Sequence, residues 1–451
     1  MAPAPRSLAL ATDLYELTMA AAYYTQGIGL TATFELFVRE LPASRRFLLV
    51  AGLEQALEYL EHLRFTEEDI AYLRRHPMFA SVRDDFFDFL RSFRFTGEVW
   101  AMPEGEPAFA NEPLLRVTAP IVQAQIVETF LLATVNFQTM IASKAARVVW
   151  AAAGRPVIEF GSRRAHGTEA AMYAARAAYI GGCAGTSNVE AGLRFGIPTF
   201  GTIAHSWVMS FEEELTAFRS FMEVFPGTTT LLIDTYDTVA AARKIVQAGL
   251  RPQAVRLDSG ELVALSREVR KVLDQGGLTQ TRIFASGDLD EYRIHDLLAR
   301  GACVDAFGVG TRLSTSSDEP NLGGVYKLVE IVRDHEVLGR VKTSPGKATF
   351  PGRKQVYRFA DAQGTFTHDL LALADEPAPP DGRALLQLVM QGGRRLLPLQ
   401  PVEELRQRAQ QALARLPAAL RSLEHGPGLP VRVSDRLLAE QRKIAAARLG
   451  R

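Results

Sequence analysis

The chain has 451 residues, 47% of them hydrophobic and 23% charged, the composition of a soluble globular protein with a sizeable core. By length, about three domains fit, or a barrel with one companion. With 51 basic and 51 acidic residues the formal net charge is +0, which argues against generic nucleic-acid binding and leaves room for a local basic pocket around a phosphorylated small molecule. Two distant cysteines, Cys183 and Cys303, argue against a disulfide scaffold and for a reducing, cytosolic location; no CxxC or Cys/His cluster suggests zinc. The N-terminus lacks the apolar core of a signal peptide, and no apolar run of ~18 residues predicts a membrane span.

Residues 13–24 (DLYELTMAAAYY) predict a helix, with Thr12 or Asp13 as cap and Glu16 available for a capping box. Residues 31–39 (TATFELFVR) alternate apolar and polar and predict a strand. Residues 54–93 carry helical spacing interrupted by Pro77. Residues 99–117, broken by Pro103, Pro107 and Pro113, predict short strands and turns. After Pro120, residues 121–146 predict a long, mostly apolar helix.

From Val148 onward short apolar runs alternate with helical segments. The runs are 157–160, 178–180, 199–201, 230–233, 254–257, 282–285 and 306–309. The helices are expected at 169–177, 188–195, 211–225, 238–248, 260–275 and 290–300. Such alternation implies parallel strands with crossover helices. Seven runs approach the count of a closed barrel, with an open doubly wound sheet as the alternative. No GxGxxG follows the first run, which disfavours dinucleotide binding. Strands return from Val325, a Pro-rich turn occupies 376–381, and helices are expected at 402–423 and, on the surface, from Asp435.

The expected strand ends carry polar groups. Gly161-Ser162-Arg163-Arg164 suits phosphate, because guanidinium forks bind its oxygens bidentately; a pair of surface arginines is the plain alternative. Gly185-Thr186-Ser187-Asn188 offers backbone amides to an anion, or an ordinary helix cap. In the 201–207 turn, His205 is a nucleophile or acid/base candidate, whereas His166 reads as a surface residue. Arg256 and Asp258, at i and i+2, point to the same side of a strand. They suit a substrate carboxylate and ribose hydroxyls or a magnesium-bound water, or else a salt bridge with a helix cap. Asp288 is a second acidic candidate or a cap. Gly308-Val309-Gly310-Thr311 could approach a 5'-phosphate, and Lys342, Lys347, Arg353 and Lys354 form a basic loop with Pro345 and Gly346 that is either solvated or polyphosphate-binding. These groups describe a phosphate-rich substrate with magnesium. They do not choose between phosphoryl transfer, sugar isomerisation and glycosyl transfer.

The chain resembles nicotinate phosphoribosyltransferases. The resemblance rests on TDLYELTMA (12–20), NFQT (136–139), SRRAHG (162–167), GTSNV (185–189), FGIPTFGTIAHSWVMSF (195–211), RLDSGEL (256–262), GVGTRLSTSSDEPNLGGVYKLVEI (308–331) and KATFPGRKQVYR (347–358). It implies an α/β fold: an irregular (β/α) barrel over 141–325, a split α/β sandwich from 1–140 and 326–400, and a C-terminal helical segment over 401–451. It also implies transfer of phosphoribosyl from phosphoribosyl pyrophosphate to nicotinate in NAD salvage, coupled to ATP hydrolysis through a phosphohistidine at His205, with magnesium. Tyr15, Thr202 and Arg256 would line the nicotinate site, and Thr311, with Gly308 and Gly310, would hold the phosphoribosyl group. Arg163, Arg164 and Lys354 would meet phosphates; Asp258 and Asp288 would lie near ribose or magnesium. A cytoplasmic homodimer with shared active sites is expected, with Tyr15 approaching the neighbouring barrel. One departure is Ala285-Ser286-Gly287-Asp288, where the family often shows Ser-Asn-Asp. Competing readings are a nicotinamide-preferring relative, which Arg256 disfavours, and a non-catalytic phosphoribosyl-binding barrel.

Overall fold

A computed structural model describes residues 7–344 and 347–448. Residues 1–6, and Pro345 and Gly346 of the basic loop, lie outside the described residues.

The Thr31–Val38 strand is an inner strand of an antiparallel seven-stranded sheet, paired on one side with Pro113–Pro120 and on the other with Gly324–Arg333. Segments almost 300 residues apart in sequence therefore share one sheet. The strand alternates in sequence, yet it is buried from its second residue onward because both faces are covered. Its polar positions are satisfied in pairs: the Thr33 hydroxyl meets that of Thr118 at 3.0 Å, and Glu35 meets Lys354 at 2.8 Å.

A four-stranded sheet of Arg383–Ala384, Lys354–Ala360, Phe366–Leu373 and Val431–Val433 adds to this body. The expected helical stretch after Glu54 is divided into Leu53–His62, Glu67–Arg75 and Asp84–Ser92, with Pro77 opening a short 3₁₀ turn. Thr66 and Asp69 form the capping box of the second of these. The box expected at the first helix, Leu14–Thr25, does not form. Asp13 accepts from the Thr129 hydroxyl instead, and Glu16 is buried against Gln125.

The helix expected over 121–146 is two helices, Ile121–Ile126 and Glu128–Ala151. The second joins the two cores. Leu131 and Val135 pack in the sandwich, while Ile141, Ala145 and Val148 pack under the parallel sheet. Helices with apolar residues at both ends of their length bind domains together by burial alone.

The parallel sheet has six strands in the order Gly185–Thr186, Val157–Glu159, Ala306–Val309, Arg282–Ala285, Ala254–Leu257, Thr230–Leu232. Helices follow most of them, so the expected irregular barrel is present as a curled, incomplete one. Two expected runs are corrected. Residues 178–180 end the Thr168–Ile180 helix, because AMYAARAAYI is a strong helix former and Gly182, at φ +109°, takes the chain out of the helix. The strand lies just beyond, at Gly185–Thr186. Residues 199–201 contribute a single bridge, Thr199 to Thr186. The first and last strands of the sheet do not pair, and the 199–205 segment crosses that gap through side chains.

The Val402–Ala414 helix packs on the Thr168–Ile180 helix through Leu405, Ala409 and Leu413. The final helix, Asp435–Arg448, is not wholly on the surface, since Leu437 is fully buried in the sandwich core. Cys183 and Cys303 are both free, and among the described residues no helix is long and apolar enough to cross a membrane.

Candidate active site

Arg256 and Asp258 stand where the Ala254–Leu257 strand ends. Alternation turns Val255 and Leu257 into the core and leaves Arg256 half-buried above the sheet. The Arg256 guanidinium donates from Nε to the Ser286 hydroxyl (2.8 Å), from Nη1 to the Thr202 hydroxyl (2.8 Å) and from Nη2 to Asp258 Oδ1 (2.6 Å). It also lies 5.6 Å from the centre of the Phe160 ring. Three anchors and an aromatic face hold the fork in one orientation. A guanidinium has five N–H groups, so donors remain on Nη1 and Nη2 for a ligand.

Asp258 Oδ1 accepts from Ser286 as well (2.5 Å). Burial pushes its carboxyl up, but the Ser286 hydroxyl, Arg256 and nearby His205 together outweigh it and hold the group below the ordinary aspartate value. Asp258 is therefore an anion at neutral pH. Its backbone N–H donates to Asp234 Oδ2 (3.0 Å), which also accepts from the Ser259 hydroxyl (2.6 Å). The other Asp234 oxygen is buried without a partner.

His205 opens the short His205–Met209 helix, half-buried, with Nδ1 3.2 Å from the Thr235 hydroxyl. Nε2 has no protein partner among the described residues. Asp234, Thr235, Phe160 and Ser286 were not singled out from the sequence. The signal for the first two was present: they directly follow the 230–233 run, in the same strand-end position as the residues that were chosen.

Asp288 is exposed next to this cluster, at φ +48°. Gly287 before it has φ +94°, and a Cβ there would stand 2.0 Å from the Asp258 carbonyl oxygen. The amide side chain expected by resemblance is absent because the turn passes directly over the backbone of Asp258.

Arg163 and Arg164 are exposed beyond the Val157–Glu159 strand, without an ion pair among the described residues. Thr311 opens the Thr311–Ser314 turn and is half-buried, as is Gly310. Behind this turn Asp318 is gripped by buried Arg45 (2.7 Å) and Lys144 (2.8 Å), and Lys144 continues to buried Glu291 (2.6 Å).

The structure bears on three further expectations, and it corrects the one for Lys354. Gly308 is buried, and a Cβ there would meet the Phe160 and Phe284 rings at 2.7 and 2.8 Å, so this glycine seats the two aromatic side chains. Asn188 caps its helix by accepting from the Ala191 N–H, which is the plain helix-cap reading of the 185–188 turn. Lys354 is buried in the sandwich, where Nζ meets Glu35 and the carbonyls of Phe350 and Gly352, with no donor left for a phosphate.

Tyr15 is half-exposed on the sandwich, and its charged neighbours are Asp13, Glu16 and Glu128; burial and these carboxyls push its phenol well up. His166 is exposed on the wall of a large cavity, about 1100 Å³, between the Leu53–His62 and Glu128–Ala151 helices. That cavity contains none of the groups bonded to Arg256 or His205. Size does not locate the chemistry here; the hydrogen-bonded groups do.

Arginines, carboxylates, hydroxyls and one histidine gathered at the carboxyl ends of a parallel, helix-covered sheet are the arrangement of α/β-barrel enzymes. The sequence matches the nicotinate phosphoribosyltransferase (NAPRTase) N-terminal domain over residues 10–136, the NAPRTase family over 156–369 and the C-terminal domain over 381–440. The chain belongs to the nicotinate phosphoribosyltransferase family. It is 47% identical over 447 residues to the nicotinate phosphoribosyltransferase pncB2 of Mycobacterium tuberculosis, covering 97% of this chain and 94% of that one. It is 46% identical over 381 residues to the Bacillus subtilis nicotinate phosphoribosyltransferase, covering 82% and 77%. The crystal structure of human nicotinic acid phosphoribosyltransferase superposes with a TM-score of 0.83 at 30% identity, over 96% of this chain and 99% of that one.

Proposed function

We propose that the protein is a nicotinate phosphoribosyltransferase. The nicotinate ring nitrogen attacks C1 of phosphoribosyl pyrophosphate, the C1–O bond breaks, and pyrophosphate leaves with the electron pair. The products are nicotinate mononucleotide and pyrophosphate. The observation that carries this reading is Arg256, anchored by Thr202, Ser286 and Asp258 with donors to spare beside Phe160. That arrangement suits a flat aromatic acid: the guanidinium takes the carboxylate and the ring lies along Phe160.

ATP coupling rests on His205. In the tautomer whose Nδ1–H donates to Thr235, the lone pair is on Nε2, free to take a phosphoryl group from ATP with release of ADP and later to lose it to water. Magnesium fits the donor set in a limited way. Among the described residues no cluster of three or more His, Cys, Asp or Glu side chains could hold a metal. Asp234, with its unpartnered oxygen, and Asp258 would supply one or two carboxylates, the usual protein share when substrate phosphates complete the shell. A bound ion there would neutralise phosphate charge. Asp288 stands ready for ribose, and Arg163, Arg164, Gly310 and Thr311 for phosphates.

A homodimer with Tyr15 reaching the partner's barrel belongs to the same reading, and the exposed Leu14 and Tyr15 on the sandwich and Val189, Leu193 and Phe200 near the strand ends support it. A cytoplasmic location and a place in NAD salvage are further parts of the same proposal.

The test is to incubate the protein with nicotinate, phosphoribosyl pyrophosphate and magnesium, with and without ATP, and to measure nicotinate mononucleotide; nicotinamide serves as the competing acceptor. His205→Ala should abolish phosphate incorporation from labelled ATP. Undiminished labelling would remove His205 as the relay, and a preference for the amide would overturn the substrate.

A further inference from the structure

Glu159 is 1% exposed at the end of its strand and has no cationic partner among the described residues. One oxygen accepts the Gly161 N–H and the other accepts the Thr186 hydroxyl at 2.6 Å. Thr186 in turn accepts the Asn188 N–H at 3.0 Å, and Asn188 Nδ2 donates to the Ser162 hydroxyl at 3.1 Å. On the far side, the Ser314 hydroxyl donates to the Gly161 carbonyl, and a Cβ on Gly161 would stand 2.2 Å from Ser314 Oγ and 2.7 Å from Glu159 Oε1. The carboxylate therefore ties the turn after its own strand to the end of the neighbouring Gly185–Thr186 strand, and Gly161, held by it, carries the link on through its carbonyl to Ser314 beyond the Ala306–Val309 strand.

We infer that Glu159 is a positioning residue for phosphoribosyl pyrophosphate: it holds the 161–164 arginine turn in register with the Thr311 turn while touching no substrate itself. The inference rests on the function proposed above. Burying an unpaired carboxylate is costly, and a neutral residue would serve if the strand end needed only packing. Both of its bonds are donated to it, so an acceptor at each oxygen is what the site requires. A glutamine cannot meet this. Its amide would face the Thr186 hydroxyl, leaving that proton without an acceptor. Burial pushes the Glu159 carboxyl up, while Thr186 and Gly161 draw it back. Arg256 lies three strands away and its hydrogen bonds to Thr202, Ser286 and Asp258 do not involve Glu159, so the carboxylate contact of nicotinate is held apart from this link and only Phe160 is shared between them.

The test measures phosphoribosyl pyrophosphate affinity by titration calorimetry, together with KM for both substrates, in wild type, Glu159→Gln, Thr186→Val and Thr186→Ser. Glu159→Gln and Thr186→Val should each lose about tenfold or more in phosphoribosyl pyrophosphate affinity, with KM for nicotinate changing less than about threefold. Thr186→Ser keeps the hydroxyl and should behave as wild type. The double variant should lose little more than either single one, because both remove the same link. Unchanged affinity in both single variants with a lowered melting temperature would overturn the proposal and leave Glu159 a stability residue. Equal losses for both substrates would also overturn it. Wild type that binds phosphoribosyl pyrophosphate but makes no product would sink the proposed function alone. Wild type that does not bind it would sink both.

Discussion

Arg256 and Thr202 are 54 residues apart in sequence and 2.8 Å apart in space, and their hydrogen bond spans the open side of the parallel sheet. The crossing segment thus fixes the direction of the guanidinium that the proposed reaction uses. Thr202→Val should raise KM for nicotinate about tenfold, the effect of one lost bond to a charged group, with a smaller change in kcat. Arg256→Lys keeps the charge but loses the fork, and should narrow the preference for nicotinate over nicotinamide. Steady-state kinetics with both acceptors checks each variant; an unchanged ratio in Arg256→Lys would speak against a carboxylate contact.

Lys354 tests the opposite assignment. Replacing it with methionine leaves Glu35 buried without its ion-pair partner and with Arg116 across the strand pair to offset part of its charge, and should cost about 3–5 kcal/mol in unfolding free energy. Replacing Glu35 with leucine at the same time should recover most of that loss. Folded Lys354→Met protein should keep its KM for phosphoribosyl pyrophosphate. A large rise in that KM without a stability loss would restore Lys354 as a phosphate ligand.

Gly287 is required twice, by φ +94° and by the Asp258 carbonyl that a Cβ would strike at 2.0 Å. Gly287→Ala should destabilise the protein by at least about 2 kcal/mol and displace Asp258, lowering kcat more than tenfold. Denaturant unfolding and turnover are the measurements; a fully active, stable variant would contradict the geometry of this turn.

Glu128 gives a pH dependence. Burial and the neighbouring Glu16 carboxyl raise its pKa to about 7, against the pull of Lys327. The fold therefore prefers the protonated group. Its contribution to stability is present below the ordinary glutamate value and is lost as pH rises through about 7. Glu128→Gln should show a smaller fall in melting temperature between about pH 5 and pH 8, and should gain on wild type at the upper end. Parallel pH profiles for the two proteins would disprove the coupling.

Much of the fold was legible because its signals are local. Apolar runs at 254–257, 282–285 and 306–309 became strands with those bounds, and Pro77 broke the helical stretch where it stands. Local periodicity misled where two readings shared the same residues. The alanines around 178–180 suit a buried strand or a helix, and the helix won because the glycines that end it come later, at 181–182. The candidate residues at strand ends were found for a similar reason, since a short apolar run marks where its own end will be.

Which of those residues act together was decided only by the tertiary structure. Sequence alone established a cysteine-poor α/β chain of zero net charge with arginines, an aspartate and a histidine in turns, and its motifs pointed to the family. It could not set Thr202 against Arg256, bury Lys354 on Glu35, hide Gly308 under two aromatic rings, or join Glu159 to Thr186 on the neighbouring strand. Those outcomes depend on strand order and on which faces become covered, and burial reverses the meaning of a charge: exposed, a lysine is free for a phosphate, whereas buried, it must be matched by the carboxylate beside it.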